Sequence, residues 1–166
     1  MIEVNNVSFE IDGRTILNDI NLKIPEGKIY GIIGPNGVGK TTLLRCLTGI
    51  YQTTKGLVKY DGEDVYDNPK VKEIIGYVAD ENIMHPNFRV KDLIKFYKYS
   101  YTKFDEKKFK ELNEIFKIPE RKFIFQLSKG MKMRLSIMLA FSIHAKYLIL
   151  DEPTSGLDAI LKNKLD

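Results

Sequence analysis

The run Gly34-Pro35-Asn36-Gly37-Val38-Gly39-Lys40-Thr41 follows directly on an apolar stretch at residues 29–33 and leads into Thr42, Leu43, Leu44 and Leu47. A G-x-x-x-x-G-K-T pattern between a strand and a helix is a phosphate-binding loop, and it commits the chain to an α/β core. Gly34, Gly37 and Gly39 let the backbone wrap closely enough for its N–H groups to cradle a polyphosphate. Lys40 then reaches the β and γ phosphates, and the Thr41 hydroxyl is a ligand for Mg²⁺. The helix that opens at Thr42 points its positive end at the anion. Pro35, Asn36 and Thr42 belong to the same loop, and the ligand it implies is a nucleoside triphosphate.

At 166 residues, 43% hydrophobic and 29% charged, the chain is long enough for one good core with a subdomain. Its net charge of +4 suits an acidic partner but is too mild to point to nucleic acid or lipid. The single cysteine, Cys46, excludes an internal disulfide and reads as a small buried apolar residue on the phosphate-loop helix. No signal-peptide pattern follows Met1, and no apolar run is long enough to span a bilayer. The expected compartment is the cytoplasm, with membrane contact made through a partner.

Along the first thirty residues Ile2, Val4, Val7 and Phe9, then Ile16, Ile20, Leu22 and Ile24, alternate with polar side chains around Asp12-Gly13. That pattern predicts an antiparallel hairpin. Residues 29–33 read as the strand leading into the phosphate loop, residues 56–62 as a short strand and turn, and residues 74–78 as the next strand. From Val90 the spacing becomes helical (Leu93, Phe96, Tyr97, Tyr101, then Phe109, Leu112, Ile115, Phe116) up to Pro119. A further helix is predicted over 129–142 and an apolar strand over 147–150. The aromatics at 96–104 alternate with Lys95, Lys98 and Lys103. That composition suits single-stranded nucleic acid, but the helical spacing favours an amphipathic helix with rings in the core and lysines in water.

The second apolar strand ends at Asp151-Glu152. A carboxylate held there by buried neighbours is the natural partner for the Mg²⁺ that Thr41 also holds, which assigns Asp151 to the metal. Glu152 falls where an attacking water needs polarising, so it is the candidate general base beside Lys40. Upstream, Leu127-Ser128-Lys129-Gly130-Met131 opens a helix, with Ser128 as its N-cap and free N–H groups suited to an anion.

Taken together these residues resemble the nucleotide-binding domain of ABC ATPases over the whole chain. Leu127 to Met131 stands as LSKGM where that family has LSGGQ, and Ser155-Gly156-Leu157-Asp158 matches its D-loop. The resemblance implies an α/β P-loop NTPase core with an N-terminal antiparallel β subdomain (residues 1–87 and 143–166) and a helical subdomain carrying the signature (residues 88–142). It implies ATP and Mg²⁺ as cofactors and a head-to-tail homodimer or heterodimer. In that pair, Ser128, Lys129, Gly130, Met131 and Asp158 of one copy complete the other's site. It also implies an integral membrane permease as partner, no nucleic acid, and a location at the inner face of the membrane.

The resemblance is not uniform. Asp80 stands where the family has its Q-loop glutamine and can still ligate Mg²⁺; Ile11, two residues after Phe9, stands where an aromatic stacks on adenine. Lys129 and Met131 in the signature point to exporters of the ABC-2 type. The family's switch histidine would lie beyond Asp166, and neither His85 nor His144 takes its place, so the expectation is a C-terminally truncated domain impaired in hydrolysis. The alternatives are a soluble ABC ATPase without a membrane partner, or a non-catalytic nucleotide-binding regulatory module.

Overall fold

The alternation of apolar and polar residues builds β1 (Ile2–Ile11) and β2 (Arg14–Ile24), paired antiparallel from Ile2↔Ile24 to Ile11↔Arg14. Asp12 and Gly13, both at positive φ (49° and 72°), form the tight turn that matches the twist of the two strands. These features come from a computed structural model that describes residues 1–80 and 84–153. It separates into two compact units, Met1–Lys72 and one that begins at Glu73.

In the first unit β3 (Lys55–Tyr60) adds to the other side of β1, and β4 (Glu63–Asp64) closes a sheet in the order β2-β1-β3-β4. Asn6 sits at φ 50°, where the β1–β3 register shifts between Asn5 and Ser8. Gly56 lies against this bulge, and a Cβ built on it would fall 2.3 Å from the carbonyl oxygens of both Asn5 and Asn6. The phosphate-loop helix α1 (Lys40–Leu47) buries Leu43, Cys46 and Leu47. The buried Tyr60 hydroxyl of β3 donates to the Leu47 carbonyl at 2.8 Å, tying the end of that helix to the sheet. Cys46 is buried as expected, and desolvation pushes its thiol up to about 11, so it is inert as a nucleophile at neutral pH. A short α2 (Pro69–Lys72), which carried no clear sequence signal, buries Val71.

One expectation fails. Residues 29–33 form no strand among the described residues, and Ile29 and Ile33 are fully exposed. A short apolar strand is held by ladder bonds and by layers on both faces. Within the first unit all four strands of the sheet lie elsewhere, so this run has the composition of a buried strand without its hydrogen-bonding neighbours.

In the second unit β5 (Ile75–Val78) and β6 (Tyr147–Leu150) pair in parallel, Ile75 opposite Tyr147 and Val78 opposite Leu150. The connection between them runs through α3 (Val90–Ser100), α4 (Glu106–Phe116), a 3₁₀ turn at Ile124–Gln126 and α5 (Lys129–Ser142). Two cores share α5. Leu135, Met138 and Leu139 join Val90, Leu93, Phe109 and Phe116 of the helical layer, while Met133, Ile137 and Ala140 pack with Val78 of β5. A helix gripped on two sides must be apolar nearly all round, which is the pattern α5 shows. Gly76 of β5 is closely packed from several sides, since a Cβ there would meet Leu148 Cδ1 of β6, Ala145 Cβ and the Ala140 carbonyl of α5 at 3.1–3.3 Å.

Asp105 joins α4 to the end of α5. Its Oδ1 caps α4 by accepting from Lys108 N at 2.9 Å, its N–H donates to the Ser142 carbonyl at 2.7 Å, and its Oδ2 meets His144 Nε2 at 3.0 Å. The bond from the Lys108 amide, and then that from His144, hold the Asp105 carboxyl below its ordinary value.

Two predictions follow from this packing. Gly56→Ala meets backbone that cannot yield, at a positive φ, and is expected to destabilise the chain by about 2–4 kcal/mol, read as a lower urea midpoint. Because the folded pKa of Asp105 is depressed, its contribution is present above the ordinary carboxylate range and fades as pH falls through the lowered value. Asp105→Ala should therefore lower Tm at neutral pH, with the gap to wild type closing in acid; a gap constant with pH would contradict this.

Candidate nucleotide-binding site

Each unit carries one part of the set of residues singled out by sequence. In the first, the phosphate loop ends at Gly39, the N-cap of α1, at φ 98°. Leu43 N donates to Gly39 O at 2.8 Å, closing the first turn. Gly39 is also pressed on β2, since a Cβ there would meet Ile16 Cγ2, Ile16 O and Leu17 Cδ2 at 3.2–3.3 Å. Gly37, at φ 80°, has open space around it, and a Cβ on Gly34 would touch only Val38 Cγ1 at 3.2 Å. Thus Gly39 serves packing and conformation together, whereas Gly37 serves conformation alone.

Lys40 folds back over the loop and donates from Nζ to the carbonyls of Gly34 and Pro35, each at 2.9 Å. One ammonium thereby gathers the start of the loop around its own end and holds positive charge inside the bend. The first turn of α1 contains no acidic residue to offset the positive helix end. Thr41 and Thr42 follow in that turn, both half-buried. Pro35 and Asn36 lie in the loop itself, on the solvent side.

In the second unit the parallel pairing sets the carboxyl ends of β5 and β6 side by side. Asp151 N donates to Val78 O at 2.8 Å, extending the ladder one residue past β6 and fixing Asp151, which is 3% exposed. Glu152 follows at φ 47°, an uncommon conformation for a non-glycine residue, with its side chain exposed. Asp80 lies two residues past β5 at the same edge. Ser128 is the N-cap of α5, accepting from Met131 N at 3.2 Å, as the sequence suggested. A Cβ at Gly130 would meet nothing within 4 Å, so packing inside the unit does not demand a glycine there.

The sequence did not reveal that Lys129 Nζ meets Asp80 Oδ1 at 3.2 Å. The two residues are 49 positions apart, and only the crossover brings the start of α5 to the end of β5. Nor did it show how Phe9 is used. Its ring stacks on Tyr51 at 5.1 Å and 7°, and Tyr51 in turn accepts from Arg45 at 2.8 Å, while Ile11 stays exposed at the end of β1. The D-loop residues, Asp158 among them, lie outside the described residues.

Among the described residues no group of three or more His, Cys, Asp or Glu side chains gathers to hold a metal by itself. The Thr41 hydroxyl in the first unit, and the carboxylates of Asp80 and Asp151 in the second, are each hard oxygen donors. That is the donor chemistry of Mg²⁺, which takes one or two protein oxygens and completes its shell with phosphate and water.

The sequence model of the ABC transporter family matches residues 17–155. The ABC transporter ATP-binding protein YtrB of Bacillus subtilis is 38% identical over 163 residues, which cover 98% of this chain and 56% of YtrB. The lantibiotic transport ATP-binding protein SrtF of Streptococcus pyogenes is 34% identical over 161 residues, covering 96% of this chain and 69% of SrtF. An ATP-binding cassette solved as a dimer in a post-hydrolysis state with ADP and Pi superimposes with a TM-score of 0.82 at 22% identity, over 99% of this chain and 82% of that one. It shares the fold. The chain thus spans little more than half the length of YtrB.

The two loop glycines should separate in a stability measurement. Gly37→Ala is expected to cost about 1 kcal/mol for its positive φ alone, and Gly39→Ala about 2–3 kcal/mol because the added methyl also meets β2. Equal losses in urea titrations would show that Gly39 does not brace the loop on β2.

Proposed function

The chain belongs to the ABC transporter family, and on that premise we propose that it is the ATP-binding and hydrolysing subunit of a transporter. Pairing of two such subunits around ATP is coupled to movement of a substrate by an integral membrane partner. The observation that carries this reading is the phosphate loop, with Lys40 drawn over the Gly34 and Pro35 carbonyls at the uncompensated positive end of α1. Gly34, Pro35, Asn36, Gly37, Gly39, Lys40, Thr41 and Thr42 hold the phosphates.

Thr41, Asp151 and Asp80 are the residues that would hold Mg²⁺, which supplies Lewis-acid polarisation of the phosphoryl oxygens when bound. Lys40 balances charge on the transferring phosphoryl group, and Glu152 orients a water and accepts its proton. Gly130 supports a role for the signature in a second copy's site. A glycine early in a helix, with nothing packed against it, lets a partner approach the backbone closely. Ser128, Lys129, Met131 and Asp158 share that role by their place in the family's motifs.

The exporter reading of ABC-2 type rests on Lys129 and Met131 in the signature. No helix among the described residues is long and apolar enough to cross a membrane. The location proposed for the subunit, the inner face of the membrane through a permease, rests on the family alone. Specificity for the transported substrate would then belong to the permease.

The test is calorimetric titration of MgATP together with phosphate release, on wild type, Lys40→Ala and Glu152→Gln. Lys40→Ala should weaken MgATP binding at least about tenfold, since it removes the charge that faces the phosphates. Glu152→Gln should keep binding and lower turnover by about 10²-fold or more. Unchanged MgATP affinity in Lys40→Ala would overturn the assignment of the loop, and unchanged turnover in Glu152→Gln would overturn that of the base.

A further inference from the structure

The aromatic and lysine-rich stretch of α3 divides between two surroundings. Val90, Leu93 and Ile94 are buried, and Tyr97 packs against the same helical core. Phe96 and Tyr99 instead face outward, 54% and 81% exposed. Lys91 and Lys95 stand on the same outer side by helical spacing, and Lys103 follows just past the helix, all exposed. Phe96 stands edge-on to its chain neighbour Tyr97, ring centroids 6.2 Å apart at 75°, with the Tyr97 ring against the core and the Phe96 ring in solvent.

The charges around this face are sorted. Residues 88–142 contain fourteen Lys and Arg against six Asp and Glu, while the rest of the chain contains twelve against sixteen. Glu106 is paired internally, with Lys98 at 2.5 Å and Lys110 at 3.0 Å, whereas Asp92, exposed on this face, accepts from Arg89 N at 3.3 Å to cap α3 and keeps its charge there. The exposed Glu120 lies beside Lys91, whose backbone N–H donates to the Glu120 carbonyl at 2.9 Å. Lys91, Lys95 and Lys103 make no ion pair among the described residues. The result is a convex helix face with two outward rings, three cations outside any ion pair among the described residues, and one carboxylate, Asp92, leaving it net positive.

We propose that this outer face of α3 binds an anionic membrane surface, Phe96 and Tyr99 seating at headgroup level and Lys91, Lys95 and Lys103 meeting lipid phosphates. The shape favours lipid over the alternatives. A convex face meets a broad, diffuse layer of charge, whereas single-stranded nucleic acid is held in a basic groove, which one helix does not form. Rings beside lysines on one side of a helix also match the interface, where the ring body sits in the acyl boundary and the ammonium reaches the phosphate layer. The test of this surface does not depend on ATP chemistry.

The experiment is cosedimentation of the full chain with vesicles of phosphatidylcholine alone and of phosphatidylcholine mixed with phosphatidylglycerol. The variants are Lys91→Glu/Lys95→Glu, Phe96→Ser/Tyr99→Ser, and a control with the same charge change elsewhere, Lys107→Glu/Lys117→Glu. All six side chains are exposed, and an unchanged Tm confirms that each variant folds. Wild type should pellet with the anionic vesicles, weakly with neutral ones, and less as salt rises. Each α3 variant should lower the partition coefficient about tenfold, and the control much less. Absence of binding to anionic vesicles, equal binding to neutral ones, or equal loss in the control would overturn the proposal. So would binding of an oligothymidine, lost in the α3 variants, without any vesicle binding.

Discussion

Two parallel strands cannot be joined by a tight turn; the chain must leave one end of the sheet and return to the other. In this protein the connection between β5 and β6 is the whole helical layer, and most of the second unit follows from that requirement. The last element of the crossover, α5, runs back along the sheet, so its first residues lie near the strand ends where Asp80 and Asp151 emerge. The Lys129–Asp80 contact at 3.2 Å is direct evidence of this return. Because α5 is packed on the strands on one side and on α3 and α4 on the other, the position of Ser128 is set by two cores at once.

The first unit solves a different problem, how to hold the bend at residues 34–40 open without side chains filling it. Gly39 lies against β2, Tyr60 holds the far end of α1, and Lys40 draws the loop's opening residues inward. The bend is therefore braced at both ends of a helix only eight residues long. Isolated, such a helix has little stability of its own, so its direction comes from the sheet on which it packs.

Much of this was legible in the sequence wherever one short-range rule sufficed. Asp12-Gly13 announced the hairpin, helical spacing from Val90 announced α3 and α4, and Ser128 announced the start of α5. The phosphate loop was readable because its chemistry needs contiguous residues. What escaped depends on distance along the chain. The Lys129–Asp80 pair, the stacking of Phe9 on Tyr51, and the outward turn of Phe96 beside the inward turn of Tyr97 arise only when remote segments meet. Residues 29–33 show the converse: composition identified an apolar strand, but a strand also needs neighbours, and in the first unit the run has none.

Glu152 stands at φ 47°, in the left-handed region where a side chain is tolerated at a cost of roughly 1 kcal/mol. Glycine or asparagine would sit there with less strain. The position is therefore one where resistance to unfolding and the chemistry proposed for it pull in opposite directions. A library selected only for thermal robustness would drift toward replacing this carboxylate, enriching well-folded proteins that have lost their base.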